Sequence, residues 1–241
     1  MKMILNPAYE KYRIFIEEIP VIFPNEGEIL QDRRNTIKVL ERNGILFNIK
    51  RFRTPIFINR IIYTFFRRTK ASRAYTYSAE VNRRGFQSPE PVAYLEEYPN
   101  GLLSHSYYIC LQAPYSQEIR ELYFGPLKGN EALFSAFARY TAALHEAEIY
   151  HKDYSPGNVL IGEKDGEFDF YLVDTNRMKL GPVSLQEGCR NFERMFDNDD
   201  VYEFIAREYA IARNLNAAEC LKWINFYKDR FLKKHPSKKS D

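Results

Sequence analysis

The chain has 241 residues, a net charge of +3 and a hydrophobic fraction of 45%. That length allows one large domain or two small lobes with a substantial hydrophobic core, so the fold needs no disulfide or metal ion for stability. Charged residues make up 28% of the chain, and no segment is rich in proline, glycine and serine, which excludes an intrinsically disordered protein.

Residues 35–52 predict the first well-defined structure, a β-hairpin. Two segments rich in β-branched and aromatic residues meet at Arg42-Asn43-Gly44, where the Asn-Gly pair supplies the positive φ angles of a tight turn. The second strand of this hairpin ends at Lys50.

The longest apolar segment follows at residues 56–66. It is interrupted by Asn59 and Arg60 and is far shorter than the roughly 20 residues that cross a bilayer. The stretch from Lys50 to Arg73, which surrounds this segment, contains no acidic residue. Its basic residues are Lys50, Arg51, Arg53, Arg60, Arg67, Arg68, Lys70 and Arg73. Such a basic region is either a solvated face or a surface that attracts anionic lipid head groups or a phosphate-bearing substrate.

A helix is predicted next, from Lys70 to its end at Gly85, with Ala71, Ala74, Tyr77 and Val81 on one side. Residues 91–98 and 105–114 predict two further strands, which are separated by the turn Pro99-Asn100-Gly101. We therefore expect residues 1–112 to form an α+β lobe, an antiparallel sheet with one helix.

Residues 113–241 predict a second, mainly helical lobe. A helix from about Asn130 to Glu148 has a buried stripe at spacings of three and four, formed by Leu133, Phe134, Phe137, Thr141 and Leu144. Residues 158–161 and 168–174 predict a hairpin joined by a polar turn. In the tail, Asp200 with Glu203 and Asn216 with Glu219 match helix caps followed by an acidic residue.

Four polar features occur in a fixed order along the chain. Lys50 ends a strand, His151-Lys152-Asp153 follows the long helix, Asn158 comes five residues after Asp153, and Asp174 ends a strand. This order is typical of the protein-kinase-like superfamily. Phosphoryl transfer needs charge neutralisation and in-line positioning more than covalent help, and these residue types supply both.

Each residue has a role in that chemistry. Asp153 is predicted to accept the proton of the attacking hydroxyl, while Asn158 and Asp174 hold Mg²⁺, which prefers oxygen ligands. Lys50 is predicted to pair with the α- and β-phosphates of ATP. Pro156 and Gly157 are expected to turn the chain sharply toward the metal, and His151 is expected to brace the loop by hydrogen bonding.

Three stretches, "LHEAEIYHKDYSPGNVLI", "FYLVDTNRM" and "EGCRNFERMF", together resemble the lipopolysaccharide kinase (Kdo/WaaP) family, from about Lys38 to Phe196. The resemblance implies a bilobal protein-kinase-like fold and transfer of phosphate from Mg-ATP to a sugar, Kdo or heptose, of the lipopolysaccharide inner core. It also implies a bacterial protein whose contact with the anionic inner face of the inner membrane is peripheral. By the same resemblance Asp153 is the catalytic base, Asn158 and Asp174 are metal ligands, and Lys50 anchors the nucleotide.

Three departures from the kinase pattern leave alternatives open. No G-x-G-x-x-G precedes the hairpin, and Asp174 is followed by Thr175-Asn176 in place of Phe-Gly. Ala74 and Thr76 lie nearer the expected place of the helix glutamate, so that Glu80 is the one acidic residue available to pair with Lys50. No Ala-Pro-Glu element follows Asp174, which argues against a protein substrate. The alternatives are a kinase of another small hydroxyl compound, similar to aminoglycoside phosphotransferases, and a catalytically impaired pseudokinase or scaffold.

The cysteines and the N-terminus predict the compartment. Cys110, Cys189 and Cys220 are odd in number and have no Cys-x-x-Cys spacing, so neither a disulfide framework nor a zinc knuckle is indicated. The first fifteen or so residues lack the uninterrupted apolar stretch of a secretory signal. We expect a cytoplasmic protein without a nucleic acid partner.

Overall fold

A computed structural model describes residues 1–236, which fold as two compact units. The first unit contains Met1–Pro114 together with Asp174–Asn176, and the second contains Tyr115–Val173 and the chain from Arg177 onward. The division between Pro114 and Tyr115 lies two residues beyond the expected one. The sequence gives no sign that the short segment Asp174–Asn176 belongs to the first unit.

The first unit is built on a six-stranded antiparallel sheet with the strand order β1-β5-β6-β4-β3-β2. Its strands are β1 (Lys2–Leu5), β2 (Glu28–Asp32), β3 (Thr36–Arg42), β4 (Ile45–Phe52), β5 (Pro91–Glu96) and β6 (Ser106–Leu111). The predicted hairpin is confirmed as β3 and β4, with φ angles of 51° at Asn43 and 76° at Gly44, but β4 continues to Phe52 instead of ending at Lys50. The two predicted strands after the helix are confirmed as β5 and β6.

Three α-helices belong to the first unit within the described residues, where the sequence predicts one. They are α1 (Arg13–Ile22), α2 (Phe57–Phe65) and α3 (Lys70–Arg83). The predicted helix is α3, which begins after the cap Thr69, whose side chain accepts a hydrogen bond from the Ser72 amide. The two additional helices escape prediction because α1 contains Pro20 and α2 is short and lacks a side-chain cap.

The sheet is covered on both faces, and this arrangement orients Lys50. Phe47 and Ile49 of β4 share a core with α1, whereas Phe52 shares a core with α3. Successive side chains of a strand point to opposite faces. Lys50 therefore shares its face with Phe52, on the side of α3.

The second unit contains four α-helices and two short antiparallel strand pairs within the described residues. The helices are α4 (Glu131–Glu146), α5 (Leu185–Arg190), α6 (Asp199–Ala212) and α7 (Ala217–Lys234). The strands are β7 (Ile149–His151), paired with β10 (Met178–Leu180), and β8 (Val159–Lys164), paired with β9 (Glu167–Leu172). Helix α4 and the β8–β9 hairpin confirm the sequence prediction, and every residue of the predicted stripe on α4 is buried.

The two predicted helix caps have different outcomes. Asn216 caps α7, since its side chain accepts a hydrogen bond of 2.9 Å from the Glu219 amide. The prediction for Asp200 is wrong, because Asn198 is the cap of α6 and accepts from the amide of Asp200. Asp200 lies instead in the first turn, where a carboxylate stabilises the positive end of the helix dipole.

The structure also shows the state of the three cysteines and the character of the helices. Cys110, Cys189 and Cys220 are all buried free thiols. None of the helices within residues 1–236 combines the length and the apolar character needed to cross a membrane.

Candidate active site

In the first unit, Lys50 and Asp174 form an ion pair. The Lys50 ammonium lies 2.8 Å from Oδ1 of Asp174, and its side chain is largely buried. Asp174 has a φ angle of 55°, in the left-handed region that aspartate tolerates better than most residues. Asn176 donates a hydrogen bond from its side-chain amide to the same carboxylate oxygen. A cation and a carboxylate are thus held at one point, in a backbone conformation that is often retained at functional sites.

The residues after Asp174 are fixed to α3. Thr175 donates a hydrogen bond of 3.2 Å to the carbonyl oxygen of Ala74, and its hydroxyl lies 2.9 Å from that of Ser78. Tyr108 in turn donates to Ser78 over 2.9 Å. Thr175 and Asn176 occupy the positions where protein kinases have Phe-Gly. Here a buried polar network, rather than a buried phenyl ring, determines the position of Asp174.

Glu80 has other partners than the one that the sequence predicts. Its carboxylate lies 2.6 Å from Arg83, the last residue of α3, and 2.7 Å from Arg84, the residue that follows, and these hydrogen bonds lower the pKa of Glu80 to about 2. The carboxylate beside Lys50 is that of Asp174. The expected pairing of Lys50 with Glu80 is therefore not the pairing in this structure, where Glu80 pairs with arginines three and four residues further along the chain.

In the second unit, Asp153 lies in the turn after β7 and contacts two arginines. Arg194 donates a hydrogen bond to Oδ1 of Asp153, and Arg177 lies 3.2 Å from Oδ2. Arg194 also donates to the carbonyl oxygen of Tyr154 over 3.1 Å. The Arg177 side chain is 48% exposed although it pairs with Asp153. The carboxylate is thereby held in one orientation while it keeps access to solvent.

The five-residue spacing between Asp153 and Asn158 closes a small loop. The Asn158 amide nitrogen donates a hydrogen bond of 2.8 Å to the carbonyl oxygen of Asp153, and the Asn158 backbone N–H donates to Ser155 over 2.8 Å. This arrangement leaves the amide oxygen of Asn158 as the atom that a cation would take. Val173, which immediately precedes Asp174, donates its N–H to the carbonyl oxygen of Asn158 over 3.0 Å.

Gly157 allows the end of the Arg120 side chain to lie close to the backbone of this loop, and its φ angle is not positive. A β-carbon at this position would lie 1.9 Å from the guanidinium of Arg120 and 3.2 Å from the carboxylate of Glu118. Pro156 opens the 3₁₀ turn that ends at Asn158. The predicted sharp turn is present, and the glycine serves to accommodate the Arg120 side chain.

His151 braces the loop, as the sequence predicts. Its Nδ1 accepts a hydrogen bond of 3.1 Å from the Asp153 amide, so that Nε2 carries the proton and donates to the carbonyl oxygen of Val173 over 3.3 Å. The carbonyl oxygen of His151 accepts from the side-chain amide of Asn191 over 3.0 Å. His151 therefore links the turn that contains Asp153 to Val173, the residue before Asp174.

A second buried histidine continues this network into the helices. His145 Nε2 lies 2.9 Å from Oδ1 of Asn191, and His145 Nδ1 lies 2.8 Å from the hydroxyl of Tyr209. Because Asn191 donates to His151, its oxygen faces His145 and accepts the proton of Nε2. Arg213 donates to the Tyr209 hydroxyl over 2.7 Å, which leaves that hydroxyl to donate to Nδ1. The network requires a neutral His145.

We expect this network to make stability depend on pH. Burial lowers the pKa of His145 to about 4, below its ordinary value near 6.5, so the unfolded chain binds more protons between those limits. The free energy of unfolding should therefore fall as the pH falls from about 6.5 toward 4, by an amount on the order of 3 kcal/mol. Urea unfolding of wild type and His145→Gln at several pH values tests this, with the half-buried His105→Gln as control. An unchanged pH slope in His145→Gln would contradict the assignment.

Two residues near Asp153 were missed from the sequence as site residues, Asn191 and Arg194. Both lie in "EGCRNFERMF", one of the stretches that carries the family resemblance. The family motif therefore contains both residues. Residue type alone does not show that residues about forty positions away in the chain lie near Asp153. The pairings are a property of the tertiary fold.

The available oxygen atoms fit Mg²⁺ better than a softer metal. Within residues 1–236, no group of three or more histidine, cysteine, aspartate and glutamate side chains is arranged to hold a metal ion. Mg²⁺ keeps several waters and is commonly bound by one or two protein oxygens plus nucleotide phosphates. In the first unit the Asp174 carboxylate is a donor of that kind, and in the second unit the Asn158 amide oxygen is another.

The sequence model of the lipopolysaccharide kinase (Kdo/WaaP) family matches residues 28–204, well over half of the chain. The chain belongs to this family. Membership makes it a kinase, and hence a phosphotransferase that uses ATP. Among curated proteins, none matches the sequence.

The solved structure of WaaP agrees with this assignment at the level of fold. WaaP in complex with acyl carrier protein is 14% identical, with a TM-score of 0.63, over 95% of this chain and 99% of that chain. The high-resolution structure of WbdD is 15% identical, with a TM-score of 0.49, over 84% of this chain and 45% of that chain. At 14% identity, the likeness to WaaP establishes the protein-kinase-like fold.

Proposed function

We propose that this protein transfers the terminal phosphoryl group of ATP, in the presence of Mg²⁺, to a hydroxyl of Kdo or heptose in the lipopolysaccharide inner core. The family match supports the acceptor class. The observation that carries the chemistry is the ion pair between Lys50 and Asp174, at 2.8 Å. A Mg-nucleotide offers the opposite charges, since its phosphates suit Lys50 and its cation suits Asp174.

In this proposal Lys50 binds the α- and β-phosphates, and Asp174 and Asn158 hold the metal ion. Mg²⁺ supplies neutralisation of the charge on the phosphate oxygens. The network of Thr175 and Ser78 keeps the Asp174 carboxylate in place on one side, and the hydrogen bond from Asn158 to the Asp153 carbonyl oxygen fixes the amide on the other. For the reaction to occur, the two units must present these atoms to the same nucleotide.

Asp153 acts as the general base. As the sugar oxygen bonds to the terminal phosphorus, the bond from phosphorus to the bridging oxygen of ADP breaks, and the hydroxyl proton passes to the Asp153 carboxylate. Arg194 and Arg177 each occupy one carboxylate oxygen, but an oxygen of this kind accepts more than one hydrogen bond. The arginines are positioning residues that keep the base oriented toward the acceptor.

Glu80 has no part in this scheme. Its pairing with Arg83 and Arg84 stabilises the end of α3, and Lys50 has Asp174 as its carboxylate partner. A basic turn, Arg33-Arg34-Asn35, joins β2 to β3 where protein kinases have their glycine-rich loop. In our proposal these arginines take the place of the glycine-rich cover.

We place the reaction at the cytoplasmic face of the inner membrane, with the protein bound peripherally. Two features support this position: an acceptor of this class is attached to lipid, and the stretch from Lys50 to Arg73 contains no acidic residue. Basic segments of this kind are attracted to anionic membrane surfaces.

The test is phosphate transfer from Mg-ATP to deacylated lipopolysaccharide core, read by mass spectrometry of the acceptor. A panel with free heptose, Kdo and an aminoglycoside separates the inner-core acceptor from another small hydroxyl compound. Thermal unfolding with and without Mg-ATP separates both from a scaffold, because ATP at 100 times its dissociation constant should stabilise a binding protein by about 2.7 kcal/mol. Transfer to the aminoglycoside alone, or no stabilisation by Mg-ATP, would contradict the proposal.

A further inference from the structure

Helix α2 exposes apolar side chains to solvent. It lies between β4 and α3 in the first unit, and none of its side chains is buried. Its first apolar residues, Phe57 and Ile58, are 62% and 67% exposed, and Phe65 and Phe66 at its end are 67% and 81% exposed. Contiguous exposed apolar surface of this kind marks an interaction site rather than an ordinary surface.

The exposed apolar residues lie on one side of the helix. With 3.6 residues per turn, Phe57, Ile58, Ile62 and Phe65 fall within an arc of about 140°. None of these four side chains carries a hydrogen-bonding group. The arc therefore offers a continuous apolar surface to whatever covers it.

The polar side of α2 attaches the helix to the protein. Arg60 donates a hydrogen bond of 2.7 Å to the carbonyl oxygen of Leu103, and the Leu103 amide donates to the Thr64 hydroxyl over 3.0 Å. A surface helix of a soluble protein normally does the reverse and buries its apolar side. Here the fold holds the polar side inward and presents the apolar side to solvent.

Basic residues flank the helix at both ends. Arg53 precedes it, and Arg67 and Arg68 follow it, all of them exposed. Near its start, a cavity of about 390 Å³ is lined by further cations, Arg33, Arg34 and Arg51 among them. A second cavity lies near the end of the helix, and Glu96 is the one carboxylate that lines it. Glu96 is paired with Lys2 and accepts hydrogen bonds from Thr69 and Tyr98, so its charge is already compensated.

We propose that α2 binds in the interface of an anionic lipid bilayer, with its apolar arc among the acyl chains and the flanking arginines at the lipid phosphates. Charge complementarity selects this occupant: a second copy of the chain would bring the same positive charges, whereas anionic lipids bring the opposite ones. The inference deepens the proposed function, because it identifies the surface that brings the kinase to a lipid-attached acceptor. Binding to lipid requires no catalysis, so the two can be tested separately.

The test is flotation of the full chain with vesicles of phosphatidylglycerol and phosphatidylethanolamine, compared with vesicles of phosphatidylcholine. We expect wild type to bind the anionic vesicles, and the double variant Phe57→Ser/Phe65→Ser to lose roughly tenfold or more of this affinity, since apolar burial drives insertion. Arg67→Gln/Arg68→Gln should weaken binding and reduce its sensitivity to salt. The matched control is Ile14→Ser/Val21→Ser, which removes two equally exposed apolar side chains from α1 and should bind as wild type does.

Circular dichroism is the check that each variant is folded. Phosphate transfer to deacylated core should be the same in Phe57→Ser/Phe65→Ser as in wild type. Lipid binding by wild type without any phosphate transfer would support the docking helix and contradict the proposed function. Equal binding of wild type and Phe57→Ser/Phe65→Ser to anionic vesicles would overturn the inference and leave α2 to a protein partner. No binding of wild type to anionic vesicles would overturn it as well.

Discussion

Replacing Asp153 by asparagine is expected to lower kcat for phosphate transfer by about 10²–10⁴-fold, the usual contribution of a positioned general base. The amide keeps the size of the carboxylate but cannot take the proton of the attacking hydroxyl. Nucleotide binding should be nearly unchanged, because Asp153 contacts Arg177 and Arg194 and is not proposed to bind the metal ion. Steady-state kinetics with Mg-ATP and deacylated core measure both quantities.

Asp165→Asn is the matched control for this substitution. Asp165 is exposed in the turn of the β8–β9 hairpin, and asparagine tolerates its φ angle of 53°. We expect this variant to have wild-type kinetics. Equal kcat values for wild type and Asp153→Asn would rule out Asp153 as the catalytic base.

Asp174→Asn is expected to remove most of the magnesium dependence of nucleotide binding. The substitution replaces a charged oxygen ligand by a neutral amide and removes the partner of Lys50. In calorimetric titrations with Mg²⁺ present, we expect the affinity for ATP to fall by roughly tenfold or more, the scale of one lost charged contact. Without Mg²⁺, the loss should be much smaller, and Asp153→Asn should show neither effect.

Glu80→Gln provides the control for Asp174→Asn in the same unit. Its carboxylate pairs with Arg83 and Arg84, so the substitution should leave ATP affinity unchanged with and without Mg²⁺. A loss in Glu80→Gln as large as that in Asp174→Asn would restore the helix glutamate to the nucleotide site. Similar losses in Asp153→Asn and Asp174→Asn would contradict the separate roles of these two carboxylates.

Local patterns predict much of the fold. The β3–β4 turn follows from the Asn43-Gly44 pair, and α4 follows from a stripe whose spacing of three and four residues matches its buried face. The sequence does not predict elements that lack such a pattern. All residues of β2 are exposed, so no alternation distinguishes it from a loop, and α2 lacks the buried stripe on which helix prediction depends.

The order of residues along the chain predicts which residues form the candidate site, but not how they pair with one another. The order of Lys50, Asp153, Asn158 and Asp174 identifies the roles, but it does not show which carboxylate lies beside Lys50. Glu80 is the one acidic residue that the helix offers, whereas in the structure Asp174 lies beside Lys50, because Thr175 is hydrogen-bonded to α3 far away in the sequence. Arg194 escaped prediction for the same reason, since its contact with Asp153 spans about forty residues.

One measurement asks most directly whether residues of the two units act on the same nucleotide. It is a double-mutant cycle on Mg-ATP binding, with Asn158→Ala in the second unit and Asp174→Asn in the first. If both side chains hold one ion, losing the second adds little once the first is gone. The double variant should then bind Mg-ATP only slightly more weakly than the single variant with the lower affinity, which gives a coupling energy of about 0.5–3 kcal/mol. Strictly additive losses, or no loss in Asn158→Ala, would contradict a shared metal-nucleotide site.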